Sequence, residues 1–171
     1  MKPQIRLLAT GMALLLFVVG CKPSALQQAE ENKQVFLRSV DVINSKDFEG
    51  LNDLGTADFV RHCQATPDVK VNSLEEFKQF LRRDSASFPD SRMTFDHVVA
   101  EGNLVAFHGT YVGTQRGPMG PFPPSNRQMS IEIAGVQRFE NGKVAEMWIT
   151  WDNLSALMQL GHFPPPMQES K

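Results

Sequence analysis

Apolar and polar positions follow two different rhythms along this chain, and the change of rhythm divides it. From Ser24 to Lys46, Phe36, Leu37, Val40 and Ile43 recur at three- and four-residue spacing, with Arg38, Ser39 and Asp41 between them. That spacing predicts a helix with one buried face. A second short helix is expected around Phe48 to Leu54, closed by Gly55 as a left-handed cap. A short strand is expected over Asp58 to His62. Ser73-Leu74-Glu75-Glu76 reads as a capping box that opens a third helix through about Ser87, with Phe77, Phe80 and Leu81 on one face. Phe88-Pro89-Asp90 stops it.

From there the period becomes two. "RMTFDHVVAEGNLVAFHGTYVG" is a pair of alternating runs joined at Glu101-Gly102-Asn103. "QMSIEIAGVQRFENGKVAEMWITW" is a second pair, joined at Asn141-Gly142, the strongest hairpin signal in the chain. The Gly- and Pro-rich "GTQRGPMGPFPPSN" between them reads as a loop, either a lid over a pocket or a spacer between sheet edges. Asp152 is suited to N-cap a last short helix, Asn153 to Leu160, closed by Gly161. Three helices followed by a long antiparallel sheet give an α+β arrangement. A curved sheet under those helices would enclose an apolar cavity, a typical small-molecule site.

The first residues change the picture of where the protein works. Lys2 and Arg6 precede the apolar run "LLATGMALLLFVVG", which ends at Cys21. A basic start, a short apolar stretch and a small residue before the cut describe a secretory signal. It is shorter than the roughly 20 apolar residues of a membrane span. Val18, Val19, Gly20 and Cys21 resemble the bacterial lipoprotein signal. The resemblance implies that Cys21 is lipidated and becomes the acylated N-terminus, held on a membrane surface by more than one acyl chain. The alternative is an ordinary cleaved signal with a chance cysteine. Lys22, rather than Asp, implies the periplasmic face of the outer membrane if the cell is Gram-negative. The expected division is 1–20 signal, 21–27 acylated N-terminus and tether, 28–161 domain and 162–171 irregular tail.

Without residues 1–20, 15 basic side chains face 19 acidic ones, a balance of −4. No basic excess is available for nucleic acid. Cys63 is then the only cysteine beyond the lipidated one, so no disulfide can form within the domain. No CxxC, HExxH or clustered ligand spacing points to a metal, and no cofactor is expected.

The second half is identified as resembling a known family. Phe88-Pro89-Asp90, Ala100-Glu101-Gly102, Gly113-Thr114, Pro123-Pro124, Asn141-Gly142-Lys143, Glu146, Trp148, Trp151-Asp152 and Gln159-Leu160-Gly161 are similar to the SnoaL-like branch of the NTF2-like superfamily. That branch holds polyketide cyclases and ester-cyclase-like proteins. Phe59-Val60-Arg61-His62 fits the family's first strand. The resemblance implies a cone-shaped α+β barrel with a deep pocket, often paired through the sheet. It also implies an acid–base aspartate and histidine, but those positions here hold Ile149 and Gly135, which cannot move a proton. Three other family polar positions hold His108, Gln115 and Met147.

Strand alternation then sorts the candidates. Met147, Ile149 and Trp151 share one side of the last strand, and Glu146, Trp148 and Thr150 share the other. The resemblance places the first set inside, with Gln137 as a polar contact. Glu146 is expected on the outer face, at solvent or at a contact between copies. His62 is the candidate for chemistry, as a base near neutral pH or as a polar residue of the pocket. Phe59, Phe77, Phe80 and Trp151 line a pocket or fill a core, and His108 is a second ligand candidate. His97 and His162 read as surface residues. These features together lead to the expectation of a membrane-anchored, extracytoplasmic domain binding a small, mostly apolar molecule. The alternatives are an isomerase, cyclase or hydrolase using His62, and an interaction module working through the sheet face.

Overall fold

A computed structural model describes residues 24–164. The signal segment, Cys21 and the end of the tail lie outside the described residues. Ser24 opens helix α1 (Ala25–Asn44) with a reciprocal box: its hydroxyl accepts from the Gln27 amide, and the Gln27 side chain accepts from the Ser24 amide. A short 3-10 helix (Phe48–Asp53) leads into strand β1 (Gly55–Cys63). Leu54, in the right-handed region, closes that helix, so Gly55 is the first residue of a strand and not a left-handed cap. A Cβ at Gly55 would stand 2.8 Å from a Leu74 methyl, and its absence lets α2 (Leu74–Ser87) lie close to the strand. The Ser73 hydroxyl caps α2 through the Glu76 amide, while the Glu76 carboxylate reaches back to the Asn72 amide rather than to Ser73.

Four strands follow: β2 (Arg92–Glu101), β3 (Leu104–Thr114), β4 (Gln128–Glu140) and β5 (Lys143–Trp151). Asn141 and Gly142 both adopt positive φ, 50° and 75°, the backbone demanded by a two-residue hairpin turn. The Asp152 carboxylate accepts from the Ser155 amide to start α3 (Asn153–Leu160), and Gly161 ends it at φ 78°.

The sheet is curved and unclosed, with strand order β1-β5-β4-β3-β2. It is mixed rather than wholly antiparallel, because β1 pairs with β5 in parallel. No hairpin joins those two strands, so turn geometry places no constraint on their relative direction. Helices α1 and α2 cover the inner face. There Phe36 stands 5.1 Å from the Phe95 and Phe107 rings alike, and Phe59 stands 4.8 Å from Phe77. Asn44 clamps the end of α1 to β2, donating to the Met93 carbonyl at 2.9 Å and accepting from its amide at 2.8 Å. Between β3 and β4 the inner face dips at Gly135, where a Cβ would lie 2.5 Å from the Phe107 ring and 2.3 Å from the Trp148 carbonyl. Phe107 fills the room a side chain there would need. Among the described residues, no helix is long and apolar enough to cross a membrane.

Candidate functional site

Between the helices and the inner face lies a cavity of about 210 Å³. It exceeds the ~150 Å³ that admits one benzene ring and falls below the ~300–1,000 Å³ of drug-sized sites. Six of the predicted residues, Phe59, Phe77, Gln137, Met147, Ile149 and Trp151, stand in its wall. Phe36, Phe80, Phe95, Ile131 and Ile133 complete an apolar lining. Glu146 is turned away, as alternation requires.

Two predicted residues are placed elsewhere. His62 alternates with Phe59 and Arg61, so it faces the outside of the sheet and not the cavity. Its Nε2 meets Glu146 Oε1 at 2.8 Å, and its ring stacks on Trp148 at 5.3 Å. Arg138 Nε donates to the other Glu146 oxygen at 2.9 Å. The Glu146 carboxyl is held below its ordinary range first by His62, then by Arg138. His108 is also on the outer face, 3.9 Å from Glu132 and 6.1 Å from the His97 ring. His162 is not simply a surface residue. Its Nε2 stands 2.7 Å from Gln115 Oε1, and its ring stacks on Phe122 at 4.7 Å.

The cavity also holds a polar cluster absent from the sequence reading. Arg61, 5% exposed, lays its guanidinium over the Phe80 ring at 4.6 Å and the Trp151 ring at 5.8 Å. Asp84 accepts from the Tyr111 hydroxyl at 2.9 Å. Lys46 donates to Ser91 Oγ at 2.6 Å and to the Ser91 carbonyl at 2.9 Å. Burial pushes the Asp84 and Tyr111 pKa values up and those of Arg61 and Lys46 down. Tyr111 and the Lys46 and Arg61 charges oppose the rise at Asp84.

Periodicity carried the signal for these residues. Arg61 is two positions from the inward Phe59 on one strand, and Asp84 follows Phe77 and Leu81 at helical spacing. His62, three positions from Phe59, falls on the opposite face of β1. Among the described residues, no group of three or more His, Cys, Asp or Glu is placed to hold a metal.

The loop between β3 and β4 covers part of the cavity, and Met119 reaches into the wall. Gln115, 0% exposed, anchors it by donating to the Pro123 carbonyl at 3.0 Å and the Gly117 carbonyl at 3.3 Å. The Ser87 hydroxyl ties the loop to α2 through the Pro118 carbonyl at 2.6 Å.

Residues 33–160 match the family model described as SnoaL-like polyketide cyclase. Among solved structures, the chain is similar to AclR of Streptomyces galilaeus, described as a candidate hydroxylase. It shares 26% identity over 80% of this chain and 99% of that one, at TM-score 0.69. IdmH of Streptomyces antibioticus, a candidate polyketide cyclase, shares 27% identity over 76% of this chain and 98% of that one, at TM-score 0.67. A SnoaL-like structure from Jannaschia sp. CCS1 shares the fold at TM-score 0.73, with 21% identity over 85% of this chain and 100% of that one. No match is found among curated proteins.

Proposed function

The chain belongs to the SnoaL-like polyketide cyclase family, and on that premise we propose that it holds a small, mostly apolar molecule in its cavity while Cys21 anchors it to an extracytoplasmic membrane surface. The observation that carries this reading is the wall: aromatic and aliphatic side chains from α1, α2 and all five strands converge on one partly open cavity. Burying a one- or two-ring ligand there gains about 25 cal/mol for each Å² of apolar surface removed from water. The family's acid–base positions, Ile149 and Gly135 by resemblance, favour holding a ligand over the family's proton transfer.

Native mass spectrometry of protein purified from its own host tests the reading, and a co-purifying small molecule is expected. Ile149→Trp, which fills the space, is expected to abolish that adduct and any thermal shift produced by 2-naphthol. An empty wild-type protein that no apolar ligand stabilises overturns it. Cys21→Ser is expected to release the protein from the membrane fraction, with loss of radiolabelled palmitate. An unchanged distribution rules out the anchor.

A second surface favours pairing between copies. Val99, Ala106, Val136, Trp148 and His62 are register partners in one row across the outer face. Val99 is 67% and Trp148 41% exposed, an apolar stripe set beside the charged Arg138–Glu146 pair. A two-fold axis through such a stripe would bring it against itself.

A further inference from the structure

Five buried side-chain atoms lack a hydrogen-bond partner among the described residues, and three belong to residues of the cavity wall: Arg61 Nη1, Thr66 Oγ1 and Gln137 Oε1. Buried polar groups are ordinarily satisfied, and leaving one unmet is costly. Two of the three residues are more than nine-tenths buried, Arg61 at 5% and Gln137 at 8% exposure. The unmet polar atoms of Arg61 and Gln137 mark the points where a ligand completes the structure.

We propose that the cavity's ligand is a rod-shaped ring acid, with a carboxylate at the Arg61 end and a hydroxyl at the Gln137 end. The inference rests on the cavity reading above and specifies its ligand.

The charge distribution selects the acid end. The Arg61 guanidinium is held between two rings, its central carbon 4.6 Å from the Phe80 centroid and 5.8 Å from that of Trp151. Its unpartnered Nη1 remains to donate to a carboxylate. Lys46, Arg61 and Arg92 line the cavity against the single carboxyl of Asp84, itself engaged by Tyr111. The Cys63 thiol lies beside Arg61, and Asp90 acts on Lys46 and Tyr111. The wall therefore carries a cationic excess.

The other end asks for a neutral group. Gln137 Nε2 makes only a 3.6 Å contact with Met147 sulfur, so its amide is underused. A hydroxyl both donates and accepts, which suits that amide in either orientation. The span follows from register. Arg61 and Gln137 both pair with Met147, one from each side, which sets them two inter-strand spacings, roughly 10 Å, apart across the sheet. The Arg61 guanidinium leans along the wall toward Trp151, and the gap suits about two fused rings.

Isothermal titration of the full-length protein in lipid nanodiscs tests this, with empty nanodiscs subtracted. The probes are 6-hydroxy-2-naphthoate, its methyl ester, 2-naphthoate and 2-naphthol. The hydroxy acid is expected to bind roughly 10- to 100-fold tighter than its ester, the range for a hydrogen bond to a charged group. Arg61→Met, which keeps the apolar stem, is expected to erase that preference. Gln137→Leu is expected to erase only the advantage of 6-hydroxy-2-naphthoate over 2-naphthoate. An ester that binds wild type as well as the acid, with 2-naphthol also bound, overturns this inference and leaves the apolar cavity standing. Failure of all four probes removes both. The wild-type comparison needs no variant to fold.

Discussion

At Asp84, burial against the cavity wall favours the protonated carboxyl in the folded chain over the unfolded one. The stability this group contributes is therefore fully present below its ordinary value of 3.8 and is lost as pH rises through the elevated one. Asp84→Asn keeps an acceptor for the Tyr111 hydroxyl and removes the ionisation. Its Tm relative to wild type is expected to climb as pH rises above about 4, followed by circular dichroism. A difference that stays flat contradicts the assignment. Glu146 behaves in the opposite sense, its contribution being present above its ordinary 4.5 and lost as pH falls through the lowered value. That contribution is small, because His62 and Glu146 are 46% and 23% exposed and water screens the pair. The two carboxylates show what the sequence could reveal of the site. Alternation along β5 was enough to turn Glu146 outward. Asp84 went unseen because a lone aspartate on an amphipathic helix resembles a solvated one until the opposing wall is known.

Whole elements were more legible than their partners. Hairpins β2–β3 and β4–β5 announce themselves through period-two alternation and Asn141-Gly142, helix α1 through its apolar spacing, and helices α2 and α3 through their caps at Ser73 and Asp152. The direction of β1 was not legible, since parallel pairing with β5 depends on register between distant segments and no local residue encodes it. The β3–β4 loop was equally open from composition, because Gly and Pro exclude regular structure without saying what a loop rests on. Its hold is Gln115, whose side chain spans the loop while His162 Nε2 closes on its oxygen. Gln115→Ala leaves those carbonyls unmet and is expected to cost about 1–3 kcal/mol. Hydrogen exchange at Met119 and Phe122, whose amides now bond each other's carbonyls, is expected to quicken more than in β4. Equal protection across both regions excludes this anchoring role.

For the molecule as a whole, the two sides of one sheet are given to different work. The inner side lines a cavity, and the outer side leaves an apolar stripe beside the charged Arg138–Glu146 row. Trp148→Arg places a cation in the middle of that stripe without entering the cavity wall. It is expected to shift a wild-type dimer to monomer in light scattering while leaving 2-naphthol binding unchanged. A wild type that is already monomeric at high concentration removes the pairing reading. The inner side carries a further consequence at Gly135. A histidine placed there would drive an imidazole into the Phe107 ring and the β5 backbone. Phe107 would have to shrink first, and that loosens its packing with Phe36 and Phe95. A side chain at position 135 is thus barred by a neighbour's bulk, and any route to one begins with a less stable intermediate.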